Sequence, residues 1–271
     1  MSQRIGLAIA PETALPSAFV VFRDRLEVSI EKAARLGYDG IELALLDRSQ
    51  VDIEGIKKLL DEYNLELPVV STGQIYGQSA LCFTDPDEGR RSQAVAQFKG
   101  LMEVAAEFGA MINIGRVRGP YFDSISKEEA EDNFLRSMEE LAELGKKLGV
   151  DILLEPVNRY EIDFVNSCAQ GAEILDRLGY DNVKLMPDLF HMNIEEPSIE
   201  GSLRKYIDYI GYIHFADSNR HAPGRGHLDF ESIFTTLTAL QYDGFITVEI
   251  LPYPEPDTAA KDAVQYLRKY C

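Results

Sequence analysis

Four apolar, strand-like segments in the second half of the chain each contain one residue of a type that binds metal ions. These residues are Glu155 in ILLEP, Asp188 in KLMPD, His214 in GYIHF and Glu249 in TVEIL. A carboxylate inside a buried strand is unfavourable unless it is paired or coordinates a metal. One divalent cation bound by all four residues would account for the whole set, so metal-assisted chemistry is the leading hypothesis.

Three carboxylates and one imidazole form a mostly hard set of ligands. Such a set suits Mn²⁺, Mg²⁺ or Co²⁺, and it also permits Zn²⁺. A six-coordinate ion with four protein ligands keeps two adjacent positions open, where a vicinal hydroxy-ketone can chelate. The ion would then stabilise the enediolate that forms when a proton leaves the carbon next to the carbonyl.

A glutamate beside the acidified C–H bond is the natural base for this chemistry. Two glutamates on opposite faces of the substrate, one removing the proton and the other returning it, would invert a stereocentre. A single base working on one face would instead give an aldose–ketose isomerase. The residues by themselves leave both reactions open.

A weak internal repeat indicates which elements position these residues. A helix that ends in a turn of the Leu-Gly-Tyr-Asp type is followed by a short apolar strand at 36–43, 178–188 and 240–250. Glycine suits the left-handed residue that closes a helix, and the apolar run suits a strand buried on both faces. Successive candidate ligands lie about 26 to 35 residues apart, which is the spacing of a strand–helix repeat.

Eight apolar segments have the length and composition of strands. They are Ile5–Ala10, Gly40–Ala44, Leu67–Thr72, Met111–Gly115, Ile152–Pro156, Val183–Asp188, Gly211–Ala216 and Ile246–Leu251. The strongest helical periodicity lies in Gln93–Phe108 and Lys127–Leu148, and Ser126 is suited to begin the second helix. This alternation predicts a single α/β domain over residues 1–271, a (β/α)₈ TIM barrel with its active site at the C-terminal strand ends. A doubly wound open sheet is disfavoured because no GxGxxG motif follows the first strand.

Composition disfavours several classes of partner. The net charge is −18, from 45 acidic and 27 basic residues, and such a surface repels nucleic acid. The three cysteines follow no metal or redox spacing, which favours reduced thiols in a cytoplasmic protein. No run approaches the length of a membrane span, and the N-terminal apolar patch is too short for a signal peptide, so we expect no membrane association.

Four longer segments surround the candidate ligands: EPVNRYE at 155–161, MPDLFHM at 186–192, HFADSNRHAPGRGHLDF at 214–230 and VEI at 248–250. Together they resemble a known family, the xylose-isomerase-like TIM-barrel superfamily. Within it they are most similar to the D-tagatose/D-psicose (ketose) 3-epimerases and to related sugar-phosphate isomerases. The resemblance is strong from about residue 150 to 251 and looser before that.

The resemblance implies a role for each candidate residue. It makes Glu155, Asp188, His214 and Glu249 the ligands of one divalent metal ion, with Mn²⁺ the expected ion. It also makes Glu155 and Glu249 the acid/base pair. The positions that hold substrate oxygens in the family correspond to Glu161, His191 and Arg220.

The chain departs from this family pattern where the sugar would be enclosed. It has no tryptophan, and its first strand, IGLAIAP, lacks the expected tyrosine. Arg116 and Arg118, in GRVRGPY, stand out in an acidic protein and could hold a substrate phosphate or carboxylate at the barrel mouth. A salt bridge to a neighbouring loop or subunit is the alternative for both arginines.

The sequence therefore predicts a metal-dependent isomerase or epimerase of carbohydrate metabolism that acts on a ketose or ketose phosphate. A dehydratase of inosose or dehydroshikimate type, an endonuclease IV-like repair enzyme and a non-catalytic metal- or sugar-binding barrel are the alternatives. The endonuclease chemistry needs a histidine-rich metal cluster, whereas this chain has 4 histidines in all. We expect a homodimer or homotetramer that associates through the mouth loops.

Overall fold

Nine parallel strands form one sheet in the computed structural model, which describes residues 3–16 and 18–271. The predicted domain limits also include Met1, Ser2 and Ser17, which lie outside the described residues. The strands are β1 (Arg4–Pro11), β2 (Phe22–Asp24), β3 (Gly40–Ala44), β4 (Glu66–Ser71), β5 (Met111–Ile114), β6 (Ile152–Leu154), β7 (Val183–Leu185), β8 (Ile213–Phe215) and β9 (Phe245–Val248).

Eight of these strands follow one another around a barrel in the order β7-β6-β5-β4-β3-β1-β9-β8. The two end strands are joined by parallel bridges between Leu185 and Ile210 and between Asp188 and His214, which close the ring. The short β2 pairs with β1 outside this path. The predicted (β/α)₈ barrel is therefore confirmed.

Helices follow the barrel strands and pack outside the ring. They are α1 (Leu26–Leu36), α2 (Ile53–Tyr63), α3 (Gly73–Ser79), α4 (Glu88–Phe108), α5 (Lys127–Leu148), α6 (Cys168–Leu178), α7 (Leu189–Glu195), α8 (Ile199–Tyr206), α9 (Phe230–Ala239) and α10 (Pro256–Leu267). Among the described residues, none of the helices is both long enough and apolar enough to cross a membrane.

The predicted helices agree with the structure except at one boundary. Helix α5 covers the predicted residues, and the hydroxyl of Ser126 accepts a hydrogen bond from the backbone N–H of Glu129. Helix α4 begins at Glu88, earlier than predicted, because the carboxylate of Asp87 caps it by accepting from the N–H of Arg90. The first turn of α4 is polar, so hydrophobic periodicity alone did not include it.

The repeat in the sequence corresponds to the turns that end helices. Gly37 and Gly179 adopt φ values of 88° and 68°, and their N–H groups donate to carbonyls of the last helical turn. At the third copy of the repeat this position is occupied by Gln241, which adopts φ 55°. The left-handed turn is therefore kept even where a side chain opposes it.

The barrel interior contains an apolar layer beneath a polar one. Val69, Leu153, Met186, Tyr212 and Phe245 form a separate buried cluster. Because side chains of a strand alternate between its two faces, the residue two positions further along lies on the same side. Glu155, Asp188 and His214 each follow a member of this cluster by two positions, and Glu249 follows Phe245 by four. The four residues therefore point into the barrel just above its apolar floor.

Candidate metal centre and substrate pocket

The four predicted metal ligands converge at the C-terminal end of the barrel. Glu155 directly follows β6, Asp188 precedes α7, His214 lies within β8, and Glu249 directly follows β9. One ligand atom from each residue can be chosen so that all four lie within 4.8 Å of one another. Strands β6 to β9 are neighbours around the closed ring, so the four side chains occupy one continuous arc.

The imidazole of His214 faces the three carboxylates. Its Nδ1 lies 3.7 Å from Glu155 Oε1, 3.9 Å from Asp188 Oδ2 and 3.5 Å from Glu249 Oε2. This nitrogen is buried and has no hydrogen-bond partner among the described residues. A divalent ion about 2.1 Å from each ligand atom holds neighbouring ligand atoms about 3 Å apart, so a small contraction suffices. The buried, unpartnered nitrogen and the three oxygens thus fit a divalent metal ion.

Glu42 on β3 orients His214 from the other side of the barrel. Its carboxylate accepts a hydrogen bond from His214 Nε2 at 2.8 Å and another from the hydroxyl of Ser71. A hydrogen bond at one ring nitrogen leaves the lone pair of the other available to a metal. Glu42 is absent from the sequence prediction, although it carries the same signal as the four candidate ligands. It is a lone carboxylate in the apolar run GIELA, and it is fully buried.

The charged groups of the cluster attract positive charge. Burial lowers the pKa of His214, but the carboxylates of Glu42 and Glu249 outweigh it and hold that pKa well above its usual value. Burial raises the pKa of Glu155 to about 7. Burial acts in the same direction on Glu249, but Arg220 and His214 hold the pKa of Glu249 below its usual value. The two glutamates therefore occupy unequal electrostatic environments.

The cluster opens into a cavity at the C-terminal end of the barrel, lined by both polar and apolar side chains. All four residues predicted to bind substrate line this cavity together with Glu155 and Glu249; they are Glu161, His191, Arg220 and Arg116. The apolar part of the wall includes Leu15, Phe19 and Val157. The tertiary structure has thus gathered these side chains from segments that follow six different strands.

His191 is prepared to donate a hydrogen bond into the cavity. Its Nδ1 lies 2.8 Å from Asn158 Nδ2, which also donates to Glu161 Oε1 at 3.0 Å. An amide N–H₂ only donates, so Nδ1 accepts and Nε2 carries the proton. Burial lowers the pKa of His191 to about 3, and the ring is therefore neutral. Asn158 was absent from the sequence prediction, because nothing local distinguishes it from an ordinary loop asparagine.

Arg220 forms ion pairs with two of the four candidate metal ligands. Its guanidinium donates to Asp188 Oδ2 and to Glu249 Oε2, and its Nε is buried without a partner among the described residues. The guanidinium carbon lies 4.9 Å from the ring centre of Phe19 and 5.0 Å from that of Phe190. Although the chain has no tryptophan, these two phenylalanines supply aromatic walls beside Arg220.

The two arginines of GRVRGPY have different environments. Arg118 is fully buried, and its guanidinium donates to the backbone carbonyls of Phe164, Gly115, Glu155 and Val165 over 2.6 to 3.0 Å. The idea that Arg118 holds a substrate anion is therefore wrong, because its donors are already used by the backbone. Arg116 is half-buried and lines the cavity.

The fold and this site define a class of protein. The chain belongs to the xylose isomerase-like TIM barrel family, whose model matches residues 30–270.

Individual relatives are sugar epimerases, which are isomerase-class enzymes. An L-ribulose 3-epimerase of Methylomonas sp. is 35% identical over 227 residues, which cover 82% of this chain and 77% of that protein. A D-psicose 3-epimerase of Ruminiclostridium cellulolyticum is 32% identical over 230 residues, covering 81% and 76%. The crystal structure of D-allulose 3-epimerase from Methylomonas sp. in complex with D-allulose superimposes with a TM-score of 0.81 at 28% identity, covering 100% and 99% of the two chains.

Proposed function

We propose that this protein is a metal-dependent ketose 3-epimerase that works through a cis-enediolate. The observation that carries the proposal is the buried Nδ1 of His214, which has no hydrogen-bond partner in the described part of the chain and faces three carboxylate oxygens next to the cavity. The names of the relatives supply the substrate class, since they act on ketoses.

The ligand set and the acid/base pair are assigned together. Glu155, Asp188, His214 and Glu249 would hold one divalent ion, proposed to be Mn²⁺, which when bound polarises the substrate carbonyl and stabilises the charge of the enediolate. Glu155 and Glu249 come from the two ends of the arc formed by β6 to β9. A substrate above the arc therefore has one carboxylate on each side, so one can remove the proton from carbon 3 and the other can return a proton to the opposite face.

The remaining polar residues of the cavity would fix the orientation of the substrate. The neutral His191 can donate from Nε2 to a substrate oxygen, and Glu161 can accept from a hydroxyl. Arg220, held between Phe19 and Phe190, can donate to the carbonyl oxygen or to a neighbouring hydroxyl. Each of these hydrogen bonds restricts the sugar to the orientation in which carbon 3 lies between the two glutamates.

Deuterium uptake tests the proposal. We expect a Mn²⁺-loaded protein to exchange the hydrogen on carbon 3 of a ketose in deuterated buffer, followed by NMR. Glu155→Gln and Glu249→Gln should each slow this exchange by about 10²-fold or more, because each removes one of the two bases. Glu173→Gln, an exposed change of the same kind on α6, should leave it unchanged.

Two results would count against the proposal. One is a wild-type exchange rate in either site variant, with metal content verified by elemental analysis. It would show that Glu155 and Glu249 are not the acid/base pair. Release of water from the substrate, seen as a new enone absorbance, would instead assign a dehydratase to the same enediolate chemistry.

A further inference from the structure

Arg116 is a cation that lines the cavity. Its guanidinium forms no ion pair or hydrogen bond with any residue in 3–16 or 18–271, although it is half-buried and lines the cavity. The chain contains 45 acidic residues, so a carboxylate partner for one arginine is easily available. A half-buried charge is partly desolvated, and leaving it unpaired is unfavourable unless something else binds it.

The other two arginines near the cavity are already engaged. Arg118 donates to four backbone carbonyls, and Arg220 donates to Asp188 and Glu249. Both terminal nitrogens of Arg220 donate to carboxylates and only its Nε lacks a partner, so Arg116 is the one lining cation in the described part of the chain with its whole guanidinium free for a ligand.

The position of Arg116 relative to the metal ligands indicates which end of a substrate it meets. It follows β5, which neighbours β6 but lies outside the arc of β6 to β9. The other lining residues that lie on β3, β4 and β5 or just after them are uncharged; they are Ala44, Ser71, Gly73, Gln74, Asn113 and Gly115. A ketose whose reacting carbons lie over the arc would extend its other end toward this side, where Arg116 is the one charged residue among the described lining residues of β3 to β5 and the segments just after them.

We propose that Arg116 selects ketoses that carry an anionic group, a phosphate ester or a carboxylate, at the end remote from the reacting carbons. The inference rests on the proposed function and adds the substrate class to it. A guanidinium binds either anion through two parallel hydrogen bonds, which a neutral hydroxyl cannot replace. The same contact holds the distal end of the sugar in place.

Binding of unreactive analogues tests the inference without turnover. Calorimetry with the Mn²⁺-loaded protein would compare a neutral hexitol, the hexitol 6-phosphate and the corresponding hexonate. We expect one of the two anions to bind about tenfold to hundredfold more tightly than the hexitol, and which one does so separates phosphate from carboxylate.

Variants show whether Arg116 itself causes the preference for anionic analogues over the neutral hexitol. Arg116→Gln should abolish the preference, and Arg116→Lys should keep part of it. Arg225→Gln removes the same charge from an exposed residue paired with Asp262 outside the cavity, and it should keep the full preference. Equal affinity of the wild type for all three analogues would overturn the inference. Retention of the preference in Arg116→Gln would also overturn the inference, because the metal or the electrostatic field of the whole protein would then hold the anion.

Kinetics distinguish failure of this inference from failure of the proposed function. In the deuterium-exchange assay, Arg116→Gln should raise KM for the anionic ketose about tenfold or more, whereas Arg225→Gln should leave that KM unchanged. Equal kcat/KM of the wild type for neutral and anionic ketoses would overturn the role of Arg116 and leave the epimerase intact. Absence of exchange with every ketose would overturn both.

Discussion

Glu42 and His214 are two fully buried polar residues that stabilise each other. The carboxylate accepts from Nε2, and the ring then directs Nδ1 toward the other three ligands. Neither residue is satisfactory alone in an apolar strand, because each would leave a buried polar group unpaired. Together they fix the orientation of a proposed metal ligand.

Glu42→Gln should weaken Mn²⁺ binding by about 10- to 100-fold, because an amide is a poorer acceptor for the ring N–H and leaves Nδ1 less basic. Competition with a chelating dye measures this affinity. Glu66→Gln, on the neighbouring strand β4 and exposed in an ion pair with Arg4, is the matched control and should change it little. An unchanged affinity in Glu42→Gln would show that Glu42 does not support the metal site.

Metal affinity should also depend on pH, because the ligands must lose protons before they bind. In the metal-free protein, burial raises the pKa of Glu155 to about 7, and Glu42 and Glu249 keep His214 protonated against its burial. Protons and Mn²⁺ compete for these sites, so affinity rises with pH. Below pH 7 it should fall about tenfold or more for each pH unit. Calorimetry between pH 6 and 8 tests this, and a flat profile would contradict it.

At the scale of elements, Arg118 connects three parts of the chain that carry the site. Its guanidinium joins the turn after β5, the end of β6 at Glu155 and the loop at Phe164 and Val165. Val165 adopts φ 57°, an unusual value for a β-branched residue. The four hydrogen bonds therefore hold a strained loop against the strand that carries Glu155.

Arg118→Met should lower the free energy of unfolding by about 3–5 kcal/mol, because it leaves buried carbonyls without donors. Arg118→Lys keeps the charge but not the planar fork, so it should lose less. Urea unfolding measures both. Arg116→Met, two residues away and without these bonds, serves as the control. A loss below about 1 kcal/mol in Arg118→Met would show that water replaces the guanidinium.

The repeated turn at helix ends gives a second prediction about an element. Gln241 is exposed and holds φ 55° where other copies of the repeat have glycine. Gln241→Gly should stabilise the protein by about 1 kcal/mol, since glycine adopts this conformation without steric penalty. Asn64→Gly, at φ 52° after α2, should gain less because asparagine tolerates this region. Thermal unfolding compares them, and equal gains would contradict the steric explanation.

At the scale of the whole molecule, the mouth of the barrel exposes apolar surface. Tyr160 is 82% exposed and Tyr253 62%, and both lie on loops that follow strands β6 and β9. Exposed aromatic residues of this kind are typical of interfaces between protein chains.

We therefore expect the protein to form a homodimer or homotetramer through these loops. Light scattering after size-exclusion chromatography gives the mass directly. Tyr160→Ser and Tyr253→Ser should shift the protein toward the monomer, whereas Tyr63→Ser, on helix α2 away from the mouth, should not. A wild-type monomer at about 100 μM would contradict the expectation.

Much of the barrel could be predicted because its signals are local. Each predicted segment overlaps a barrel strand, although strands such as β6 and β7 end earlier than predicted. The extra residues include Glu155 and Asp188, which belong to the candidate metal centre. Hydrophobicity records burial, and these positions are buried too, so composition could not distinguish the end of a strand from the start of the pocket.

The sequence by itself determined the repeat of strands and helices and the four residue types that face one another in the barrel. It could do so because a buried polar residue in an apolar strand is visible locally and because the alternation of side chains has a period of two.

Only the tertiary structure decided which residues surround the four candidate ligands. Glu42 contacts His214 across 172 residues, Phe19 stacks on Arg220, and Arg116 and Arg118, two positions apart, have opposite environments. These outcomes depend on which distant groups the closed ring brings together, and a contact between residues far apart in the chain leaves no mark in the local sequence.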